Sequence, residues 1–534
     1  MDLSLSESLA SLIVTVSDPM PSKHLEFQKL QSRLQTHWHS LDSFTDSDSD
    51  ILVVPSLSLD RQELLKVEGV IHYEERLLFS LMRLWNPRTR LIYVTSQPLP
   101  PITIDYYLQL LPGIPFSHAR ERLLLLSTHD ASLQPLSQKI LDRPRLLHRI
   151  SQALRPERSL MICYNSTPIE RDLALKLDVP LYALDPDLLY WGTKAGSRQI
   201  FAECGVPHPD GSALVFDAHS LAEVAADLWE RQPQLQRMVI KLNEGFSGEG
   251  NALLDLRPLG SPSSHSERVQ AIASAFPQLS FQGHHENWPS FQPKIGNLGA
   301  IAEAFVEGDG KQSPSVQGRI TPTGTVEILS THDQILGGAD GQIFLGCQFP
   351  AASGYRRQIQ DLGLEIGKNL AAKGAMERFG IDFIAVPQAD GSWELHAIEI
   401  NLRKGGTTHP FMTLKFLTNG DYRFEDGLFY SQQGKPKYYV ASDNLQQPHY
   451  RGLLPNDLMD IIAHHRLHFD TSTETGTVFH LMGCLSEFGK VGLTSIGNSL
   501  AEAKAIYQRV ETVLDGETQF IDLQSTLPIA WKCR

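Results

Sequence analysis

The chain has 534 residues and a formal net charge of −14 at pH 7, with 41% hydrophobic and 20% charged residues. These proportions are typical of globular proteins and exclude a disordered or fibrous chain. The acidic balance argues against a general nucleic-acid binder or a binder of anionic membranes, although a local basic site could still hold a nucleotide.

The cysteines and the apolar runs favour a cytoplasmic protein. The five cysteines are widely spaced without a CxxC pair, so neither a zinc site nor a disulfide framework is expected. The short apolar run Leu12–Val16 has no basic residue before it and makes a poor signal peptide. Because no run of about 20 apolar residues occurs, we expect no transmembrane helix.

Residues 1–185 are predicted to form an N-terminal α/β domain. Helices are predicted at Glu26–Leu41 and Glu74–Leu84, and short buried strands at Ile51–Val54, Leu91–Val94, Leu123–Leu126 and Leu160–Tyr164. Strands that alternate with helices predict parallel pairing through helical crossovers. No glycine-rich turn follows the first strand, so a dinucleotide fingerprint is absent. We assign no chemical role to any residue of this region.

Residues 186–418 are predicted as two α+β lobes, at about 186–300 and 301–418. A helix is predicted at Lys194–Cys204, and strands at Met238–Leu242, Ala300–Val306, Ser315–Ile320 and Thr325–Ser330. The Pro/Ser-rich stretch 257–268 is predicted to be a surface loop. A helix at Tyr355–Phe379 is expected to precede a hairpin of two strands, Ile381–Val386 and His396–Ile400.

Residues 419–534 are expected to form an accessory α+β domain that could cover the site of an acceptor substrate. A helix is predicted at Pro455–His465, an apolar strand at Val478–Leu485 and a last helix at Ser499–Leu514. This region has no motif that carries chemistry.

The most informative segment is the strand and glycine-rich turn at residues 239–250, VIKLNEGFSGEG. Lys241 on the strand could hold its ammonium group beside phosphate oxygens. Gly245, Gly248 and Gly250 would let backbone N–H groups approach a polyanion. The alternative interpretation is a surface lysine before a flexible hairpin, and this segment alone does not decide between the two.

A second segment provides two carboxylates and an amide. Asp382 and Glu399 lie on the two strands of the predicted hairpin, and strand alternation puts Glu399 and Asn401 on one face. These oxygen ligands suit Mg²⁺ or Mn²⁺, which would bridge phosphate groups. Arg403 continues this face and could hold a carboxylate or an acyl phosphate. A solvated polar face is the alternative, but it does not explain an acid among the apolar residues of 397–400.

A third segment, AEAFVEG at residues 302–308, is apolar with an acid near each end. Its backbone could pair with the edge of an adenine, and one acid could bind ribose hydroxyls. Taken alone, the segment is better explained as a core strand that ends in a turn.

In this order, the segments resemble the ATP-grasp superfamily over roughly residues 186–418. The stretch YWGTKAGSR at 190–198, followed by GVPHP at 205–209, resembles the opening of that family: a lysine, a helix and a Gly-Val-Pro turn. Each motif alone has little specificity. The ordered set is specific, because chance would rarely supply both lysines, the loop, the hinge and the Glu-x-Asn pattern in sequence.

The resemblance implies roles for individual residues. The residues that it implies for ATP are Lys194, Lys241, Gly245, Ser247, Gly248, Gly250, Glu303, Phe305, Val306 and Glu307. Among them, the two lysines would contact phosphates, residues 243–250 would form the mobile loop, and residues 303–306 the adenine hinge. Glu307 and Asp309 compete for the ribose. The implied Mg²⁺ ligands are Asp382, Glu399 and Asn401.

The whole chain further resembles the pheganomycin-type peptide ligase branch. The supporting segments are STHDQ at 330–334, EINLRKGGTTHP at 399–410 and the long C-terminal region. The implied fold is an ATP-grasp domain with a parallel α/β pre-ATP-grasp domain before it and an extra α+β domain after it. The implied activity is an ATP-dependent carboxylate–amine ligase that acts through an acyl phosphate and releases ADP and phosphate.

On this interpretation Lys241 and Arg403 are the catalytic residues, and residues 404–406 add contacts to the substrate. His332 or His409 could act as a base toward the amine, although a structural role is more common for a lone histidine. The substrates would be small molecules, an amino acid or peptide among them, and the protein could be a homodimer. The alternatives are a carboxylase-type enzyme, disfavoured by the lack of a biotin-carrier motif, and an inactive nucleotide-binding regulator.

Overall fold

The structure is a computed structural model that describes residues 20–42, 48–59, 61–245, 250–283, 286–337 and 343–524. The strands within these ranges form three sheets, and four clusters of buried apolar side chains pack against them. None of the helices in these ranges has the length and apolar character needed to cross a bilayer. The apolar run Leu12–Val16 lies outside the described residues.

The first sheet is parallel, with the strand order β3-β2-β1-β4. Its strands are β1 (Asp50–Val54), β2 (Arg90–Thr95), β3 (Leu123–Ser127) and β4 (Ser159–Cys163). Alternate residues of β1 enter two different apolar clusters, so both faces of this central strand are covered. The predicted parallel α/β arrangement is therefore confirmed.

Helices and short helical turns connect these strands. The α-helices are α1 (Met20–Asp42), α2 (Arg61–Leu65), α3 (Pro101–Gln109), α4 (Phe116–Glu121), α5 (Leu136–Leu141), α6 (Pro144–Ala153) and α7 (Pro168–Leu177). The helix predicted at Glu74–Leu84 is a longer segment, Val70–Trp85, with 3₁₀ geometry. A second short 3₁₀ turn spans Pro156–Arg158.

The second sheet is antiparallel, with the order β7-β6-β5-β8. Its strands are β5 (Arg237–Leu242), β6 (Asn251–Asp255), β7 (Ser280–Phe281) and β8 (Ala300–Ala304). The α-helices of this part are α8 (Lys194–Cys204), which packs against the strand Trp393–Asn401 of the third sheet, and α9 (Ala218–Arg231), α10 (His265–Ala275) and α11 (Trp288–Leu298), which pack around the second sheet. Short 3₁₀ turns occur at Pro186–Gly192, Arg257–Leu259 and Phe276–Gln278.

The third sheet is the largest, with the order β13-β12-β9-β10-β11-β16-β15-β14 and with β18 joining β16 to β17. Its first five strands are β9 (Pro314–Ile320), β10 (Val326–Gly337), β11 (Ile343–Phe349), β12 (Glu377–Pro387) and β13 (Trp393–Asn401). The others are β14 (Asp421–Arg423), β15 (Leu428–Tyr430), β16 (Pro436–Gln446), β17 (Gly476–His480) and β18 (Lys490–Gly497).

The helices of this part pack on the same sheet. They are α12 (Arg356–Ala372), α13 (Thr408–Thr418), α14 (Pro455–His465), α15 (Leu485–Phe488) and α16 (Leu500–Gln524). Two 3₁₀ turns, Pro448–Tyr450 and Met482–Cys484, connect them to the strands. The predicted α+β character of the regions after residue 186 is confirmed.

Three sequence predictions of local structure are wrong. The helix predicted at Tyr355–Phe379 ends at Ala372, because Gly374 adopts a positive φ of 89° and the chain then enters β12. The strand predicted at Val478–Leu485 stops at His480, because Leu481 takes a left-handed conformation with φ 54°. The loop predicted at 257–268 contains the start of α10, which Ser264 caps.

The third sheet also bears on how the chain is divided. β16 pairs with β11, so strands on both sides of residue 418 share one hydrogen-bonded sheet. The largest apolar cluster likewise contains Leu329, Phe349, Phe479 and Leu493. The residues after 418 therefore pack as a continuation of the preceding sheet.

Candidate active site

A cavity of about 450 Å³ lies where the three sheets approach one another. Strands β5, β8, β9, β10, β12 and β13 all contribute to its lining. The residues predicted from sequence that line it are Lys241, Glu303, Phe305, Val306, Asp382, Glu399, Asn401, Arg403, Gly405 and Gly406. The described residues that were predicted for ATP but do not line it are Lys194, Gly245, Gly250 and Glu307. Ser247 and Gly248, in the predicted phosphate loop, lie outside the described residues.

Lys194 is fixed at the start of α8. Thr193 caps the helix, and Asn243, just after β5, accepts hydrogen bonds from the backbone of Lys194 at 3.0 Å and of Ala195 at 2.9 Å. The Lys194 Nζ atom lies 2.6 Å from Oε1 of Glu399. The first predicted phosphate lysine is thereby tied both to the glycine-rich segment and to a predicted metal ligand.

Lys241 lies on β5 and forms a buried ion pair with Glu303 of the neighbouring strand β8. Arg198 approaches the other oxygen of Glu303, with its Nη1 atom at 3.3 Å. Glu303 is only 2% exposed, so its charge is balanced by two cations rather than by water. The Glu303 side chain therefore positions Lys241.

The predicted metal ligands meet on the hairpin of β12 and β13. Asp382 and Glu399 are directly opposite each other in the strand register. Asp382 accepts hydrogen bonds from Nδ2 of Asn401 at 3.1 Å and from Nε2 of Gln334 at 2.6 Å. The structure thus brings Asp382, Glu399 and Asn401 together and adds Gln334, from β10, to the group.

The electrostatics of this group fit a divalent cation. Burial and the nearby charge of Glu399 raise the pKa of Asp382 to about 7. Burial opposes ionisation of Glu399, but Lys194, Arg403 and Lys241 outweigh it and lower the pKa of this carboxyl. A cation held by the two carboxylates and the Oδ1 atom of Asn401 would remove their mutual repulsion, and oxygen ligands of this kind suit Mg²⁺ or Mn²⁺.

The segment after β13 continues along the cavity. Arg403, Gly405, Gly406 and Thr407 line it, and the Arg403 guanidinium donates to the backbone oxygen of Lys404 at 3.3 Å. Lys404 turns away from the cavity and forms a buried ion pair with Glu377 at 3.0 Å. The side chain of Lys404, which was predicted to contact substrate, is therefore used inside the fold, a correction to that prediction.

The predicted adenine hinge follows β8. The Phe305 ring lies between two cations, with the Arg237 guanidinium 4.0 Å and the Lys311 ammonium 4.2 Å from its centroid. Lys311 also donates to the backbone oxygen of Val306 at 2.8 Å. Glu307 pairs with Arg237, and this hydrogen-bonded ion pair lowers the pKa of the Glu307 carboxyl.

The two histidines considered as bases lie in the interior. His332 shares a hydrogen bond of 2.6 Å with the Tyr439 hydroxyl, and burial lowers its pKa to about 3. The Nδ1 atom of His409 is 3.1 Å from the backbone oxygen of Arg76, and burial and the neighbouring His480 lower the pKa of His409 well below its usual value. Neither imidazole lines the cavity.

Several lining residues were missed by the sequence reasoning. Arg76 and Tyr164 come from the N-terminal region, to which no role was assigned, and this is a correction. No sequence pattern identifies these two residues as functional, since Arg76 lies in a segment predicted from sequence as a helix and Tyr164 ends a predicted buried strand. Lys311 and Gln334 also line the cavity. A signal existed for Gln334, because it ends the STHDQ segment used for the resemblance.

Family models match two parts of the chain. The model described as "IQCH-like, ATP-grasp" matches residues 188–275 and 263–425. The model described as "PGM1 C-terminal domain" matches residues 457–510. The first match includes the cavity-lining strands of the second and third sheets, and the second match begins within α14.

Two relatives and one solved structure illustrate the similarity. An L-propargylglycine--L-glutamate ligase from Streptantibioticus cattleyicolor is 28% identical over 486 residues, which cover 88% of this chain and 95% of that protein. The IQ motif-containing protein H of Danio rerio is 24% identical over 436 residues, 74% of this chain and 41% of that protein. The N5-carboxyaminoimidazole synthetase of Staphylococcus aureus superposes with a TM-score of 0.48 and 11% identity, covering 88% of this chain and 98% of that chain.

Proposed function

We propose, from the premise that residues 188–425 form an ATP-grasp domain, that the protein is an ATP-dependent ligase that joins a carboxylate to an amine. One observation carries the proposal: a single cavity gathers the side chains of Lys241, Asp382, Glu399, Asn401 and Arg403. The substrates we propose are amino acids or small peptides. The relative that is 28% identical over 88% of this chain is named as a ligase of two amino acids.

We assign the binding of the ATP phosphates to Lys194 and Lys241. Both ammonium groups are buried and paired with a carboxylate; Lys241 lines the cavity, and Lys194 reaches it through its partner Glu399, which does. When ATP binds, each lysine would interact with phosphate oxygens as well as with its carboxylate partner. The residues of the 243–250 loop would add backbone donors. Two ammonium groups and the metal together would balance most of the triphosphate charge.

The adenine would contact the segment after β8. The backbone of Glu303 is already paired with β5 and with Gly211, and the Phe305 N–H donates to the backbone oxygen of Arg237 at 3.2 Å. Phe305 and Val306 lie beyond the end of β8 and line the cavity, which supports an assignment of the adenine contact to this pair. The ribose would bind Glu307 or Asp309. Glu307 is already aligned by Arg237, which supports Glu307 as the first choice.

Asp382, Glu399 and Asn401 would hold Mg²⁺ or Mn²⁺, with Gln334 orienting Asp382. When bound, the ion would neutralise charge on the transferring phosphoryl group. The hydrogen bonds from Gln334 and Asn401 and the ion pair with Lys194 would keep these half-buried carboxylates oriented before the metal arrives, which reduces the reorganisation needed at the moment of reaction.

The reaction would proceed in two steps. A substrate carboxylate oxygen attacks the γ-phosphorus, and the bond to the β,γ-bridging oxygen breaks, which gives an acyl phosphate and ADP. The amine then attacks the acyl carbon, phosphate leaves, and the amine loses a proton to give the amide. Arg403 would hold the carboxylate and then stabilise the tetrahedral oxyanion. Residues positioned in this way contribute mainly alignment and charge.

The carboxylase hypothesis and the regulator hypothesis predict different reaction products. A carboxylase-type enzyme would release ADP with bicarbonate and without an amine. An inactive regulator would bind ATP without releasing ADP. The presence of Lys241, the carboxylate pair and Arg403 in one cavity, with Lys194 paired to Glu399 beside it, favours the ligase.

The division into segments 1–185, 186–418 and 419–534 is likewise a proposal. The separate parallel sheet supports the first boundary. Strand pairing across residue 418 makes the last segment an extension of the ligase core and not a detachable unit. A homodimer stays a prediction, which light scattering of the purified protein would test.

The proposal is tested by mass spectrometry of reactions with Mg²⁺-ATP and pairs of amino acids. We expect a condensed product and equimolar ADP for at least one pair. Lys241→Met should lower the rate about 100-fold or more, because it removes a buried cation from the phosphate site. Lys368→Met is the matched control: this lysine on α12 is exposed and pairs with the exposed Glu365. ADP release that needs no amine would favour the carboxylase instead.

A further inference from the structure

Arg76 is a buried cation to which we assign no part in binding ATP or the metal. It lies on the 3₁₀ helix Val70–Trp85, is 6% exposed, and lines the cavity together with Tyr164 and Arg403. A buried guanidinium is costly unless its charge is balanced and its donors are used. The arrangement around it therefore indicates a purpose at the cavity.

The C-terminal region balances this charge. Arg76 forms an ion pair with the buried carboxylate of Asp443 on β16. His480 on β17 holds the other oxygen of Asp443, with its Nε2 atom at 2.6 Å. Burial opposes ionisation of Asp443, but Arg76 and His480 outweigh it and hold the pKa of this carboxyl far below its usual range. Asp443 is thus an ionised anchor that fixes one edge of the guanidinium.

Tyr164 fixes a second edge. Arg76 Nη1 donates to the Tyr164 hydroxyl at 2.7 Å, so the hydroxyl oxygen accepts and its own O–H remains able to donate. The Tyr73 and Tyr164 rings also lie against the guanidinium, 4.8 and 5.2 Å from its central carbon. Among the described residues, hydrogen bonds engage only two of the three guanidinium nitrogens, which leaves donors for a ligand.

Both residues are joined to the segment that follows the metal ligands. The backbone N–H of Lys404 donates to the backbone oxygen of Tyr164 at 3.2 Å, and Nδ1 of His409 lies 3.1 Å from the backbone oxygen of Arg76. Arg76, Tyr164 and Arg403 all line the same cavity. Two guanidinium groups in one cavity suit a substrate that carries a second anionic group besides the carboxylate being activated.

We infer that Arg76 and Tyr164 bind a carboxylate of an amino-acid substrate that does not react, and that Asp443 and His480 position Arg76 for this contact. The inference rests on the proposed ligase function and specifies which substrates it accepts. The carboxylate belongs either to the amine substrate or to a second acid group of the activated substrate. In both cases the ligand group is the same: a planar carboxylate that accepts from a guanidinium and a phenol.

Calorimetry tests this contact without turnover. Each of the twenty amino acids is titrated into the protein with MgADP, and the strongest binder is compared with its carboxamide analogues. Arg76→Met should weaken binding of the amino acid about 10- to 100-fold, the effect of losing a charge-assisted hydrogen bond. Tyr164→Phe should weaken it less. Arg83→Met, on the same helix but outside the cavity lining, should leave it unchanged.

The amide analogues provide the decisive comparison. The analogue in which the recognised carboxylate is replaced by an amide should bind the wild type and Arg76→Met equally weakly. Analogues in which a different carboxylate is replaced should still bind the wild type more tightly than Arg76→Met. If the sensitive carboxylate belongs to the amino acid that supplies the amine, its KM rises in the variant. If it belongs to the activated acid, that KM rises instead. The double variant Arg76→Met/Asp443→Asn removes both buried charges and serves if the single variant does not fold.

Three results would overturn the inference: no amino acid binds, acid and amide lose affinity equally, or only the affinity for MgADP changes. Failure of the proposed function would look different. If binding of an amino acid depends on Arg76 but no ADP is released, this contact stands and the ligase is refuted. If the product forms and both KM values are unchanged in Arg76→Met, the ligase stands and this contact is refuted.

Discussion

Asp382 and Glu399 face each other across two paired strands, and this placement has a cost in the absence of a cation. Lys194 pairs directly with Glu399, while Asp382 accepts hydrogen bonds from the Gln334 and Asn401 amides and feels the charges of Lys194 and Arg403 at a distance. Burial and Glu399 nevertheless raise the pKa of Asp382 to about 7. The pair is therefore arranged for a divalent ion, and metal affinity should depend on the Asp382 charge.

We expect Asp382→Asn to raise the Mg²⁺ concentration needed for half-maximal ADP release by about 10- to 100-fold, because one of two anionic ligands is lost. The measurement is a Mg²⁺ titration of ADP release at saturating ATP. Asp390→Asn, in the exposed turn of the same hairpin, is the control and should titrate as wild type does. An unchanged titration for Asp382→Asn would remove this residue from the metal site.

His332 makes a different kind of contribution. Its imidazole is fully buried, shares a hydrogen bond with the Tyr439 hydroxyl and lies tilted against the Phe349 ring, with the ring centroids 5.6 Å apart. We expect His332→Phe to reduce the free energy of unfolding by about 1–3 kcal/mol, because the Tyr439 hydroxyl loses its partner. The rate per folded molecule should be retained. Urea unfolding and ADP release measured on the same preparation check both parts, and loss of rate at unchanged stability would instead support a catalytic base.

The pairing of β9 with β12 depends on a glycine, Gly318. Gly318 is paired with Phe379 in the register, and a Cβ on it would lie 2.1 Å from the Phe379 ring. Gly318→Ala should cost about 1–3 kcal/mol of stability, because the ring has no room to move in the core. Gly516, on α16, has open space around it, so Gly516→Ala should instead stabilise by about 0.5–1 kcal/mol. Thermal unfolding of the two variants should shift in opposite directions, and shifts of one sign would contradict this packing.

The contact between the 3₁₀ helix Val70–Trp85 and β2 should depend on pH. Glu74 accepts two hydrogen bonds of 2.6 Å from Ser96, and burial raises its pKa to about 7. Because the folded state holds this proton more tightly than the unfolded state, stability should fall as the pH rises from about 4.5 to 7 and then level off.

We expect Glu74→Gln to remove up to about 3 kcal/mol of this fall. Denaturant unfolding of the variant and the wild type at pH 5 and pH 8 measures the difference. Glu121→Gln, an exposed acid at the end of α4, is the control and should keep the wild-type pH dependence. A Glu74→Gln protein that loses as much stability as wild type between these two pH values would contradict the buried acid's role.

Sequence reasoning reached the residues whose signals are local. Lys241 is followed at once by its glycine-rich turn, and Glu399 and Asn401 are two residues apart on one strand. Such patterns reflect backbone geometry, which the sequence encodes over a few residues. Arg76 and Asp443 are separated by 367 residues and meet only because the third sheet continues past residue 418. No periodicity or spacing carries that information, so Arg76, Tyr164 and Asp443 could be found only in the folded structure.

The same limit applies to the architecture. The alternation of strands and helices in residues 1–185 predicts the parallel sheet, because βαβ crossovers leave that pattern. The strands β11, β16 and β18 have no comparable signal: each pairs with a partner far along the chain. The C-terminal region is therefore joined to the cavity through the ion pair of Asp443 with Arg76, which lines it, instead of standing apart.

The central claim is that the protein activates a carboxylate as an acyl phosphate. The most direct test follows ¹⁸O from a carboxylate-labelled amino acid into the products of a complete reaction with Mg²⁺-ATP and the amine. The account predicts one ¹⁸O atom in the inorganic phosphate for each amide formed and none in the nucleotide. Unlabelled phosphate, or label appearing in AMP, would contradict it.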